Sequence, residues 1–117
     1  MEVYKLNDKI YPCSTTVTMD YIGGKWKTVI LWYLAISPHR YRELRKKLMM
    51  VTERTLSLQL KQLEKDGLIN RKVYVKKAPM KVEYSLTEFG KSLIPLLNML
   101  SDWGERVVSE KGEVINS

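Results

Sequence analysis

Apolar residues recur at helical spacing through the first half of the chain, switch to alternation near residue 69, and return to helical spacing after residue 87. Residues 1–13, ending in Tyr11-Pro12-Cys13, read as an extended arm. Ser14 or Thr15 can cap a first helix, since a side-chain oxygen there accepts from a free backbone N–H. That helix runs through Val17, Met19, Asp20 and Ile22 and stops at Gly23-Gly24. A second starts near Lys25-Trp26. Its apolar positions Trp26, Val29, Ile30, Tyr33 and Leu34 fall at i, i+3, i+4, i+7 and i+8, the spacing of a helix that buries one face. Ser37-Pro38 ends it.

A short helix through Tyr41, Leu44, Arg45 and Leu48 follows, then the break Met49-Met50-Val51. Thr52 is a good N-cap for the next helix, in which Leu56, Leu60 and Leu63 stack towards the core. The opposite surface shows Thr52, Arg54, Thr55, Ser57, Leu58, Gln59 and Gln62. Asp66-Gly67 closes this helix. Two helices joined by a tight turn, the second polar outside, fit a helix-turn-helix over about residues 41–66. From Ile69 to Val75 the pattern alternates, Lys77-Ala78-Pro79-Met80 turns the chain, and Val82, Tyr84 and Leu86 return it. This hairpin, about 69–86, is the wing. Thr87 caps a final helix over about 87–110, and Pro95 inside it should kink it by removing a backbone donor. Residues 111–117 form a tail. The fold expected is mainly α with a small β-hairpin wing: a single winged helix-turn-helix domain over residues 14–110, with terminal helices that dimerise.

Charge sharpens this picture. Residues 39–81 hold thirteen Lys/Arg against four Asp/Glu, a balance of +9, while the rest of the chain carries seven against nine. The net charge of +7 is therefore concentrated on the predicted helix-turn-helix and wing, an electrostatic footprint for a polyanion, with double-stranded DNA the leading partner. At 117 residues the chain suits one domain and leaves no room for a separate sensing unit. A single cysteine, Cys13, excludes a disulfide framework or cysteine-cluster zinc site, and one histidine, His39, excludes a histidine-rich metal or catalytic centre. No cofactor or metal is expected. No secretory leader or apolar run of about 18 residues is visible, which predicts a cytoplasmic protein without membrane contact.

Several pieces in order resemble the HxlR-type winged helix-turn-helix regulators, distantly related to MarR-type repressors. They are Cys13; Ile22-Gly23-Gly24-Lys25-Trp26; Arg40-Tyr41 with Glu43-Leu44; the Leu56, Leu60, Leu63 helix with Glu64 and Asp66-Gly67-Leu68-Ile69; Arg71; Val82-Glu83-Tyr84-Ser85-Leu86-Thr87 with Gly90; and Asp102-Trp103-Gly104. The resemblance spans about Cys13 to Gly104. It implies a homodimeric bacterial transcription regulator whose terminal helices form the interface and whose recognition helices enter successive major grooves. It also implies that some members sense electrophiles or oxidants through the cysteine matching Cys13. Two positions depart from the pattern: Arg42 stands where a small polar cap is usual, and Leu58 where a polar recognition residue is common.

The candidate chemistry follows. Arg54 could fork onto guanine, Gln59 could pair with adenine, and Thr52, Thr55 and Ser57 could serve bases or phosphates; the alternative is a solvated polar face. Leu58 either meets a thymine methyl or is semi-buried. In the wing, Lys72, Lys76, Lys77 and Lys81 suit phosphate or minor-groove contact, although single lysines there are often only solubilising. Arg40, Arg42 and Arg45 with Lys46 and Lys47 crowd the helix that crosses the DNA backbone, with an ion-pair role competing at Arg40. Cys13 precedes a helix N-terminus, whose partial positive charge favours the thiolate, and Lys9 can help; the alternative is a small buried residue pinning the arm. Trp26 and Tyr33 read as core. Leu96, Leu100, Trp103 and Val107 read as a dimer seam, since Asp102, Glu105 and Glu110 interrupt the apolar stripe. Gly23-Gly24-Lys25 lacks the spacing of a phosphate loop.

These features predict a sequence-specific DNA-binding transcriptional regulator, a homodimeric repressor on an inverted-repeat operator with half-sites about 34 Å apart. Thiol or electrophile response through Cys13 is the accompanying expectation. A winged-helix protein-interaction module without specific DNA binding is the alternative. An enzyme is not expected, because no nucleophile–base pair or nucleotide loop is visible.

Overall fold

The computed structural model describes residues 2–75, 77, 78 and 81–115. The N-terminal stretch is not a plain extended arm. Strands β1 (Tyr4–Leu6) and β2 (Lys9–Tyr11) pair antiparallel, Tyr4 opposite Tyr11, around Asn7 and Asp8 with φ of 49° and 66°. Two successive left-handed residues make the two-residue hairpin turn that matches strand twist, and Asn and Asp tolerate it best among residues with a Cβ.

Helix α1 (Ser14–Ile22) follows, then α2 (Lys27–Ile36). Neither Ser14 nor Thr15 caps α1; Cys13 occupies the N-cap, and Thr16 Oγ1 donates to its carbonyl at 2.6 Å. Trp26 is the N-cap of α2, so that helix starts two residues later than Lys25-Trp26 suggests. A two-residue strand β3 (His39–Arg40) leads into α3 (Tyr41–Lys47), and after the turn comes α4 (Glu53–Lys65). Thr52 caps α4 as expected, its Oγ1 accepting from the Thr55 N–H at 3.1 Å.

Gly67, at φ 77°, ends α4: its own N–H reaches the Glu64 carbonyl and the Leu68 N–H reaches Leu63, both at 3.0 Å. This pair of bonds satisfies the last helical carbonyls and drives the chain straight into a strand. Strands β4 (Ile69–Val75) and β5 (Lys81–Leu86) form the wing, and β3 joins the free edge of β5, giving the order β3-β5-β4. His39 lies opposite Tyr84 and Arg40 opposite Glu83.

The final helix is not one kinked rod. It is a single turn, α5 (Glu88–Lys91), capped by Thr87, then α6 (Ile94–Lys111). Pro95 sits in the first turn of α6, where no backbone donor is needed, so it starts a helix instead of bending one. The core gathers Ile30, Leu31, Leu44, Leu56, Leu60, Leu63, Leu68 and Ile69, all essentially inaccessible. Each contributes about 1.5–3 kcal/mol of burial, and together they clamp α2, α3 and α4 against the root of the wing. Trp26 and Tyr33 pack on the rim of this core, as the spacing predicts.

Candidate nucleic-acid interface

The turn between α3 and α4 is held by Arg45, whose guanidinium donates to the Val51 carbonyl at 2.5 Å and lies 3.9 Å from Glu53. Lys47, an exposed residue, likewise spends its ammonium on the molecule itself, 2.7 Å from His39 Nε2 and 5.2 Å from the Tyr33 ring centre. His39 is buried, with Nδ1 2.7 Å from the Ser37 carbonyl. Of the five cations crowding α3 and its N-cap, two are thus fasteners. The basic run alone does not reveal this, because the partners arrive from the turn and from β3.

Along the outer face of α4, Arg54 is exposed and carries no ion pair among the described residues, and Leu58 is 49% exposed, which removes the semi-buried alternative for that side chain. Gln59 is half-buried. Thr52 and Thr55 are committed to the cap, their hydroxyls 3.0 Å apart, and Ser57 Oγ lies 3.4 Å from the Tyr41 hydroxyl of α3. The free polar surface of this helix is therefore narrower than the sequence suggests.

Beside it, α3 and the wing enclose a cleft of about 310 Å³ lined by Arg40, Tyr41, Arg42, Arg71, Lys81, Val82 and Tyr84. Four cations meet there and no carboxylate lines it. Arg40 uses its backbone, not its side chain, to close α3: its N–H donates to Glu43 Oε1 at 2.8 Å, which holds the Glu43 carboxyl below its ordinary range. The guanidiniums of Arg40 and Arg42 are left exposed. Arg71 is absent from the candidates drawn from sequence because alternation places it with Ile69 and Val73; β4 leaves the core after Ile69, so Arg71 faces the cleft instead. Burial raises the Tyr84 phenol, which forms the floor. Further out, Lys72 stacks on Tyr74 at 4.7 Å, and Lys77 and Lys81 are exposed; Lys76 lies outside the described residues.

Residues 21–112 match the HxlR-like helix-turn-helix family. The chain belongs to that family. HTH-type transcriptional regulator YdeP of Bacillus subtilis is 48% identical over 100 residues, covering 86% of this chain and 77% of that protein. Among solved structures, the redox regulator HypR in its oxidized form is 44% identical with a TM-score of 0.75, covering 80% of this chain and 96% of the other. The HTH-type regulator YtcD gives 43% identity and a TM-score of 0.77, covering 83% and 98%.

In this HxlR-family chain Cys13 is exposed, which removes the reading of a buried packing residue. Its thiol is held below the ordinary value, first by the Thr16 backbone N–H and also by the Thr16 hydroxyl, with partial burial opposing. Lys9 does not contribute as expected, because its ammonium sits 3.0 Å from Asp20 Oδ2. Asp20 also accepts from the Tyr11 hydroxyl at 2.5 Å, which pins the hairpin to α1.

The face expected to form the dimer seam is divided. Leu96 and Leu97 pack on the domain's own core, whereas Leu100 is 46% and Trp103 69% exposed and Val107 is half-buried. Met99 and Val108, not among the seam candidates, are also exposed. An apolar groove of about 460 Å³ runs between α2 and α6 past Val29, Trp32, Tyr33, Leu97 and Leu100. Among the described residues no helix is long and apolar enough to cross a membrane, and no three metal-ligating side chains converge.

Proposed function

We propose that this HxlR-family regulator binds an inverted-repeat operator as a homodimer and acts as a repressor. The observation that carries the reading is the four-cation cleft formed by Arg40, Arg42, Arg71 and Lys81, whose Tyr41 wall touches Ser57 of α4. Such a cleft suits a backbone phosphate, which fixes register, while Arg54, Leu58 and Gln59 meet base edges and Thr52, Thr55 and Ser57 add contacts where the cap and the Tyr41 contact permit. Lys72, Lys76 and Lys77 extend the cationic track along the wing. Leu100, Trp103 and Val107 close the seam with Met99 and Val108, and the groove between α2 and α6 receives apolar side chains of the second copy; Leu96 supports the seam from beneath. A domain exposing so many large apolar residues on one helix is suited to burying them against a partner.

The name of the similar HypR includes a redox role, and the exposed, thiolate-prone Cys13 supports carrying that role to this chain. The thiolate attacks one sulfur of an oxidised small thiol, the other sulfur leaves as a thiolate, and a mixed disulfide remains at Cys13. A bulky adduct at the α1 N-cap displaces α1 and weakens DNA binding.

Binding of reduced protein to its own upstream DNA and to random DNA, at two salt concentrations, tests the reading. For about six to ten phosphate contacts, affinity falls about 10³–10⁵ fold between roughly 50 and 200 mM salt. A flat salt response with no preference for the upstream DNA would instead favour a protein-interaction module. Repeating the titration with oxidised small thiol, on wild type and Cys13→Ser, separates the thiol switch from DNA binding itself: a response that persists in Cys13→Ser removes the switch and leaves the regulator.

A further inference from the structure

A second cleft, of about 360 Å³, lies on the other side of α4, where its C-terminal end meets the N-terminal hairpin, α1 and the start of α2. Its lining is polar and charged, and nothing in the DNA-binding reading uses it. Lys27 is the notable member. It is only 8% exposed, yet it makes no ion pair or side-chain hydrogen bond among the described residues. Among those residues no side-chain nitrogen or oxygen is both fully buried and unpartnered, so the Lys27 ammonium is the part of that buried side chain that reaches the cleft.

The backbone around Lys27 adds to its charge. Its helix has no side-chain N-cap and no acidic residue in the first turn, so α2 itself supplies nothing to offset its positive end at the same place. A cation withdrawn this far from water is costly unless an anion meets it. Asp20 lines the same cleft and its charge is felt by Lys27, but its hydrogen bonds are taken by Tyr11 and Lys9, so it does not pair with Lys27 directly. Across the cleft a carboxylate is available: Asp66, the C-cap of α4, lines it beside Lys65, makes no side-chain bond among the described residues, and sits at the negative end of that helix. Lys27 and Asp66 do not pair with each other.

We propose that this cleft binds a small organic acid carrying a hydrogen-bond donor beside its carboxylate, an α-hydroxy or α-amino acid, with the carboxylate on Lys27 and the donor on Asp66. The volume is at the small end of ligand sites. A molecule held this way bridges the first turn of α2 to the last turn of α4, so its binding biases the tilt of the helix that faces DNA. Linkage then requires that operator DNA change ligand affinity by the same factor as the ligand changes DNA affinity.

The test is a calorimetric titration of the full, reduced, DNA-free protein with lactate, malate, serine and glutamate, and with acetate and methylammonium as probes of one pole each. At least one of the four two-pole acids is expected to bind saturably, about tenfold more weakly in Lys27→Met and in Asp66→Asn, with acetate and methylammonium far weaker. Hydroxy and amino acids are told apart by which pair binds. Lys27→Met keeps the buried aliphatic stem and loses only an ammonium that makes no hydrogen bond among the described residues, so its thermal midpoint, measured alongside, is expected to stay close to that of wild type, which keeps folding out of the result. The assignment is overturned if none of the four saturates at millimolar concentration, if Lys27→Met binds as well as wild type, or if acetate alone binds as tightly. Since no DNA is present, the outcome is independent of the operator reading.

Discussion

At Cys13 the local chemistry is set by one turn of backbone. The Thr16 N–H and hydroxyl favour the thiolate, so alkylation by iodoacetamide should reach half-maximal rate at a pH below that of an unperturbed thiol. In Thr16→Val the midpoint should move part of the way back, since the backbone donor stays. Asp20 shows the linkage between charge and stability. Its carboxyl is lowered first by the Tyr11 phenol and then by Lys9, so the folded form binds that proton more weakly than the unfolded form does. Its contribution is complete above the ordinary aspartate range and is lost as pH falls through the lowered value, so Asp20→Asn should flatten the acid limb of thermal stability. The same bond pushes the Tyr11 phenol up to about 12, and Tyr11→Phe should remove a phenolate absorbance step near that pH. Gly90 is a third case: a Cβ there would run into the Leu68 carbonyl, which already accepts from the Thr87 N–H. Gly90→Ala should cost about 3 kcal/mol in denaturant unfolding. The sequence marks Gly90 only as part of a resemblance; the reason for it, a backbone contact across twenty-two positions, has no local trace.

The helices and strands were legible where a local rule acts alone. Thr52 before an amphipathic run and Asp66-Gly67 after it fix both ends of α4, and Thr52→Ala should cost about 1 kcal/mol and weaken operator binding alongside, both measurable on one preparation. Legibility failed where two rules compete. Thr87 caps a helix and Pro95 disfavours a helix interior; one kinked helix and two successive helices both satisfy the pattern, and the proline's preference for a first turn decides for the second. In the N-terminal stretch, Asn7-Asp8 flanked by short apolar-polar runs carried the hairpin signal, but three-residue strands give too few alternations to be read as such. For the proposed DNA face, the charge run points to a surface but does not sort its members. The side chains of Arg45 and Lys47 are spent on a carbonyl and an imidazole from the segments that flank α3, and Arg71 faces the cleft because its strand leaves the core.

At the scale of the molecule, α6 is the part that a single domain does not account for. Trp103 at 69% exposure near the middle of an apolar face is the strongest candidate anchor of a two-fold contact. Trp103→Glu should shift the sedimentation of the protein to that of a monomer and weaken operator binding by about 30-fold or more, while far-UV dichroism stays unchanged. The two-residue strand β3 has a consequence of another kind. Because His39 and Arg40 are paired to β5 on one side and run directly into α3 on the other, the wing and the helix-turn-helix have no hinge between them. The distance from Arg42 to Lys72 and Lys81 is then a fixed gauge set against the duplex. A gauge measures groove width, and groove width varies with base composition even where no side chain touches a base. Operators should therefore be ranked in part by flanking sequence that this protein never contacts.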